Sequence, residues 1–433
     1  MVSAGPRRRI AVVVQRYGPD INGGAEAHAR LLVRTLQPHV DIDVLTSRAA
    51  DHRAWLPTLP GGIEQETAGV RVIRFDHPRR ERGRRRYTPL RHRFRFACRR
   101  WLPNNRPLVA HPQGDPASDG EWFLEAQGPT MPGLQQWLRE RGEEYSAIIF
   151  MTARYHPSAM GVQVRPERSI LIPTLHDEKA MYLPVFHRVF RAPRRILFNT
   201  RSEQRLAQRL YGDDIAPSSV CGIGVDLPAA ETNSQIETSS PYLLYLGRVD
   251  RGKGCANLFS AFTAFRRHHT SVPLRLVVAG RLAMPKPDDR DIHCVGFVDE
   301  ATKLTLLRGA AALVIPSRHE SLSMVLLEAL WAGTPVIANQ HSAVLAEHIA
   351  AAGVGQTYAD AEEFERAVAA TLQSPAQRRV ADARRGRAYV EQHYAWPVIT
   401  RKVLQAIDDV AQPVAVPLVR NDVREGKNPA QSE

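Results

Sequence analysis

Two short stretches in the second half of the chain combine residue types that could handle a phosphorylated ligand. The first is Gly247-Arg248-Val249-Asp250-Arg251-Gly252-Lys253-Gly254, which follows the apolar run Tyr242–Leu246. Glycines in such a turn let the backbone approach an anion, while Arg248 and Lys253 can converge on it, one as a planar fork and the other as a point charge. The spacing GxxxxGK[ST] is absent, so this is not a P-loop. The competing reading is a solvated turn carrying two ordinary surface cations. The second stretch is Glu320-Ser321-Leu322-Ser323-Met324-Val325-Leu326-Leu327-Glu328-Ala329. Ser323 is placed to cap a helix whose first free amides, on Met324 and Val325, would face an anion. Glu328, about a turn further in, could reach back and accept hydrogen bonds from a diol. The alternative for Glu328 is a carboxylate that only complements the helix dipole.

These residues need a scaffold that gathers loop ends, and the hydrophobic pattern supplies one. Ile10–Val14, Ile42–Thr46, Val70–Phe75, Ala147–Met151, Ser169–Ile172 and Arg195–Asn199 read as strands, with a helix over Ala25–Leu36 and further helical stretches between. After the polar segment 231–241, read as a linker, the rhythm restarts. Tyr242–Leu246, Leu274–Ala279, Ala311–Ile315 and Val336–Ala338 read as strands. Ala256–His268, Ser323–Trp331, 361–373 and 376–393 read as helices. Alternation of this kind implies parallel sheets covered on both faces, and such sheets bind ligands beyond the carboxyl ends of their strands. Both stretches lie at such ends. The expected fold class is therefore α/β, with domains over 1–230 and 242–393, a helix over 394–412 and a disordered tail over 413–433. Pro78–Gly120, Arg-rich and then Pro-rich, reads as an insertion in the first domain.

The two stretches together, Gly-Arg-x4-Lys-Gly followed some 70 residues on by Glu-x7-Glu-Ala, resemble the retaining family-4 glycosyltransferases of GT-B architecture. Further segments carry the resemblance along nearly the whole chain. They are Asn22-Gly23-Gly24-Ala25-Glu26, Pro173-Thr174-Leu175-His176-Asp177, Gly222-Ile223-Gly224-Val225-Asp226, Gly333-Thr334-Pro335-Val336 and Tyr394-x-Trp396. The resemblance implies two Rossmann-like domains facing across a cleft, with the last helix returning to the N-terminal domain. It implies a hexosyltransferase that uses a nucleotide-diphosphate sugar as donor substrate, with no cofactor and no metal. Arg248, Lys253 and the amides of Met324 and Val325 would stabilise the departing diphosphate. Glu328 would bind the ribose hydroxyls. Glu320 and the backbone of Ser321, Leu322 and Ser323 would face the sugar, and Gly23 and Gly24 would bring amides from the other domain. His176 would position the sugar and stabilise charge; otherwise it is a histidine satisfied by Asp177 or backbone. One departure stands out: Ser321 and Ser323 occupy positions where the family often has glycine. A GT-B-shaped binding or scaffold protein without turnover, and a nucleotide-sugar epimerase, are the alternative functions.

Composition bounds the rest. The chain has 433 residues, 43% hydrophobic and 24% charged, an ordinary globular balance. The first 110 residues hold 22 basic and 9 acidic side chains, which is the whole of the net charge of +13. Within 79–100 stand eleven arginines against the single acid Glu81, interleaved with Tyr87, Leu90, Phe94 and Phe96 and followed by Trp101. Such a stretch suits an anionic membrane surface, or is a solvated or acceptor loop; no nucleic-acid motif accompanies it. The acceptor, whether glycan, lipid-linked saccharide or small molecule, is not written in the sequence. Apolar runs such as Ile10–Val14 and Ala310–Pro316 fall short of the about 20 residues a spanning helix needs. No signal peptide is recognised, and Cys98, Cys221, Cys255 and Cys294 lack paired spacing. The expectation is a cytoplasmic protein, peripheral at most to the membrane. Asp41-Ile42-Asp43 has the spacing of a metal-binding Asp-x-Asp but leads into a strand, and is read as two solvated carboxylates.

Overall fold

The computed structural model describes residues 7–21, 23–51, 55–77, 120–226 and 240–412, apart from the Trp122 side chain. The basic stretch 79–101, nearly all of the 231–241 segment and the tail after 412 lie outside these.

Two sheets organise the chain. The first contains β1 (Arg9–Val13), β2 (Asp41–Ser47), β3 (Gly62–Thr67), β4 (Val70–Phe75), β5 (Ala147–Met151), β6 (Ser169–Ile172), β7 (Arg195–Phe198) and β8 (Ser218–Val220), in the order β3-β4-β2-β1-β5-β6-β7-β8. All its pairings are parallel except β3 with β4. The second contains β9 (Tyr242–Leu246), β10 (Arg275–Ala279), β11 (Ile292–Gly296), β12 (Ala312–Ile315), β13 (Val336–Asn339) and β14 (Gln356–Tyr358), wholly parallel, in the order β11-β10-β9-β12-β13-β14.

Period-two alternation explains why the central strands are apolar throughout. Ile10, Val12 and Val14 enter the core on one face of the first sheet, while Ala11 and Val13 enter the core on the other. In β9, Tyr242, Leu244 and Leu246 pack on one face and Leu243 and Tyr245 on the other. Helices cover both faces of each sheet, so the fold is the two-domain α/β arrangement that the sequence implied.

The two domains are joined and held at defined points. The helix Trp396–Ala411 inserts Ile399, Val403, Ala406, Ile407 and Val410 into the core of the first sheet, at the three- and four-residue spacing of one helix face. Just before it, Ala395 pairs with Val225, and the Val225 amide donates to the Tyr394 carbonyl at 3.0 Å. The two crossings between domains therefore lie side by side. Gly224 is needed there, because a Cβ would overlap the Trp396 ring. Asp226 closes the joint, accepting from Trp396 Nε1 at 3.0 Å and from Arg34 at 2.6 Å. On the cleft side, Glu347 reaches from the helix Ala343–Ala352 to the helix Arg201–Tyr211. It accepts the backbone amides of Arg201 (3.1 Å) and Ser202 (2.6 Å) and pairs with Arg205 at 3.1 Å. A carboxylate from one domain thus caps the positive end of a helix in the other.

Candidate active site

The Gly247–Gly254 loop leaves the carboxyl end of β9 and is tied down by its own aspartate. Asp250 accepts the Lys253 amide at 2.8 Å and pairs with the Arg248 guanidinium, while Tyr245 donates to the Arg248 carbonyl at 2.7 Å. Burial alone would push the Asp250 carboxyl up; the Lys253 amide and Arg248 outweigh it and hold it below the usual range. Gly254 has φ 79° and lies so close to Pro316 that a Cβ would meet its carbonyl oxygen at 2.5 Å. That contact seats the loop against the end of β12. In consequence Lys253 Nζ lies 2.7 Å from Glu320 Oε1. The structure brings Lys253 and Glu320 into direct contact, and leaves Arg248 half-exposed at the loop's rim.

Two expectations about the helix Met324–Ala332 are corrected. Ser323 occupies the N-cap position, yet its hydroxyl makes no cap hydrogen bond. The reason is its backbone, at φ 72° and ψ 78°, whereas a capping serine sits in the extended region. A serine therefore holds the left-handed conformation that a glycine adopts without cost, and its Oγ is buried without a partner among the described residues. Glu328, the fifth residue of the helix, lies beyond the first turn and does not serve the dipole. Its Oε1 pairs with Lys303 Nζ at 2.9 Å, and its Oε2 is buried with no partner among the described residues. Met324 and Val325, as first-turn residues, keep amides without an intrahelical acceptor. Ser321 and Leu322 are buried in the loop that joins Glu320 to this helix.

The first domain presents His176 to the same region. Its ring is largely buried and burial lowers its pKa; Glu178 and Glu320 act in the other direction, Lys253 and His319 with burial. The Nδ1 atom has no partner among the described residues. Asp177 instead accepts from Tyr182 at 2.8 Å and pairs with Arg209 at 3.1 Å. Of the two partners considered for this histidine, Asp177 or backbone, Asp177 is engaged elsewhere. What fixes the segment is Glu203, which accepts the Leu175 amide through one oxygen and the Asn199 amide through the other, both at 2.5 Å. Burial pushes the Glu203 pKa up to about 8, against the pull of those amides. Thr200-x-x-Glu203 is a capping-box spacing, a signal in the sequence that could have marked this carboxylate.

Gly23 and Gly24 open the helix Gly24–Leu36 beyond β1. A Cβ on Gly23 would run into the Glu26 carboxylate, while Gly24 has open space around it. Glu26 is buried and paired with the buried Arg16 at 2.5 Å, and Gln15 donates to it at 3.0 Å. Neither Arg16 nor Lys303 stands out in the sequence. Asp41 and Asp43 begin β2, at the end of the sheet away from this site. Asp43 is not solvated as expected: it is buried, pairs with Arg71 at 2.6 Å and accepts from Tyr145 at 2.9 Å.

Known proteins share both the stretch that builds the site and the fold. Residues 229–387 match the family model described as "Glycosyl transferases group 1". A D-inositol 3-phosphate glycosyltransferase of Pseudarthrobacter chlorophenolicus is 30% identical over 173 residues, 36% of this chain and 41% of that protein. The match thus spans less than half the length of that relative. A phosphatidyl-myo-inositol mannosyltransferase of Mycobacterium leprae is 27% identical over 415 residues, 91% of this chain and 95% of that protein. Among solved structures, a sucrose-phosphate synthase from Thermosynechococcus elongatus superposes with a TM-score of 0.65 at 19% identity, covering 93% of this chain and 99% of that one. At that identity the likeness is one of fold. Residues 229–387 thus resemble the group 1 glycosyl transferases, and nearly the whole chain shares the fold of that synthase.

Proposed function

We propose that the protein transfers a hexosyl group from a nucleoside-diphosphate sugar to a hydroxyl acceptor, with retention and without a metal. One observation carries the reading. Lys253, in contact with Glu320, stands at the carboxyl edge of the second sheet, where the Gly247–Gly254 loop is seated against the end of β12.

The chemistry follows from those groups. As the bond between the sugar's anomeric carbon and the diphosphate oxygen breaks, negative charge grows on the diphosphate. Arg248, Lys253 and the two helix amides receive that charge. The Glu328 oxygen accepts from a ribose hydroxyl. His176 lies beside the sugar as a hydrogen-bonding group. The acceptor hydroxyl, approaching from the first domain, forms its bond on the face the diphosphate leaves and passes its proton to the departing phosphate oxygen. Retention follows from that geometry. The names of the relatives above favour a polyol or its phosphate ester as acceptor, free or lipid-linked.

The test is turnover of a panel of UDP-, GDP- and ADP-sugars in excess EDTA, with the anomeric configuration of the product read by NMR. Nucleoside diphosphate release in EDTA and a product of unchanged configuration are expected. Activity lost in EDTA and restored by Mg²⁺ or Mn²⁺ would reject the metal-free mechanism, and an inverted product would reject same-face attack.

A further inference from the structure

Lys303 lies on the helix Glu300–Gly309, outside every motif that marks the site. Its ammonium is largely shielded and touches two carboxylates: Glu328 Oε1 at 2.9 Å and Glu300 Oε2 at 2.6 Å. The two partners differ. The Glu300 side chain is 88% exposed, and an ion pair in that setting contributes little. The Glu328 side chain is 23% exposed, and its second oxygen is buried with no partner among the described residues. A pair kept only for the stability of the fold gains nothing by leaving that oxygen orphaned, since an unsatisfied buried acceptor is costly. The lysine–glutamate pair is therefore half of an arrangement that a hydroxyl completes.

We propose that Lys303 is the positioning residue for Glu328: its ammonium clamps Oε1, and so holds Oε2 toward the ribose hydroxyls of the donor nucleotide. The inference rests on the reading of Glu328 as the ribose contact. A glutamate on a helix rotates about three side-chain bonds, and an unrestrained carboxylate at the edge of a cleft turns toward water. Fixing one oxygen removes that freedom before the nucleotide arrives, so that the ordering cost does not fall on binding. The charge matters as well as the contact. Burial disfavours the ammonium, but Glu328 and Glu300 outweigh burial and keep Lys303 protonated. A charged donor holds a carboxylate oxygen more firmly than a neutral one would.

The test separates positioning from folding by changing the ligand as well as the protein. Binding of UDP, GDP and ADP to the full chain is measured by calorimetry, and the tightest of the three is compared with its 2′,3′-dideoxy form. In the wild type the dideoxy nucleotide should bind more weakly. In Lys303→Met, which keeps the unbranched stem and removes the charge, the ribose nucleotide should lose on the order of tenfold in affinity, the scale of one charge-assisted hydrogen bond. The dideoxy form should bind Lys303→Met as it binds the wild type, and Lys303→Arg should keep most of the preference for ribose. Equal weakening of both nucleotides by Lys303→Met would make Lys303 merely structural and overturn the proposal, as would no weakening of either. Equal binding of both nucleotides by the wild type would instead remove Glu328 from the ribose, and the proposal with it. Because the two nucleotides are compared on one preparation, partial loss of fold cannot mimic the expected result.

Discussion

Replacing Lys253 by alanine should damage activity far more than stability, and the structure gives the size of both effects. The Lys253 side chain is 36% exposed and Glu320 is 14% exposed. A half-exposed pair of this kind contributes at most about 1 kcal/mol to folding. The loop around it also has other anchors: Asp250 on the Lys253 amide, Tyr245 on the Arg248 carbonyl and Gly254 against Pro316, none of which uses the lysine side chain. The fold should therefore survive, with a melting temperature lower by a few degrees at most. Activity is another matter. If the ammonium receives charge as the diphosphate departs, its loss removes a fixed stabilising group worth about 2.7–4 kcal/mol, or a factor of about 10² to 10³ in turnover. Glu320 is left near the diphosphate without its counter-ion, which adds repulsion. The assay is nucleoside diphosphate release by Lys253→Ala, with a thermal melt of the same sample. Turnover within a fewfold of wild type in a folded variant would show that Lys253 only neutralises Glu320, and would remove it from the reaction.

Three further predictions rest on separate observations. Ser323→Gly should leave stability unchanged or raise it by up to about 1 kcal/mol, because glycine accepts φ 72° without the Cβ cost; a lower urea midpoint would refute the strain. Burial lowers the pKa of His28 to about 3 and those of His156 and His348 to about 4, while the unfolded chain protonates them near 6.5. Their contribution to stability is whole above pH 6.5 and is lost as pH falls toward 4, so urea midpoints should decline over that window, and less steeply in His348→Gln; equal slopes would show that His348 titrates normally. Residues 79–101 should carry the protein down with phosphatidylglycerol vesicles at 50 mM but not 500 mM salt, since each basic residue at an anionic surface is worth about 1 kcal/mol. Protein left in the supernatant at low salt would make the stretch a solvated or acceptor loop.

How far the sequence can be read depends on what each residue does. β5, β6 and β9 are found where their apolar runs predict them, because a strand buried on both faces has no other way to be written. β3, with every residue exposed, and the short strands β8 and β14 carry no such pattern and are recognisable only through their neighbours. β11 alternates buried and exposed residues around His293 and is too brief to read alone. The site divides in the same way. Loops that bring backbone to a ligand announce themselves through glycines and helix starts, so Gly247–Gly254 and Glu320–Glu328 are visible. Side chains that hold other side chains are not. Lys253 meets Glu320 across 67 residues because a parallel sheet places the ends of β9 and β12 together, and Lys303 meets Glu328 across 25 where the helices Glu300–Gly309 and Met324–Ala332 pack. Arg16 under Glu26 and Glu203 under Leu175 are of this kind too. Ser323 is the instructive failure. Its residue type predicts a capping hydroxyl, and the close fit of the loop forces a glycine's backbone on it instead, so local propensity loses to the geometry of the cleft. The residues hidden from the sequence are thus mostly those that hold the visible ones in place, and they are where substitutions should alter the site without touching the donor.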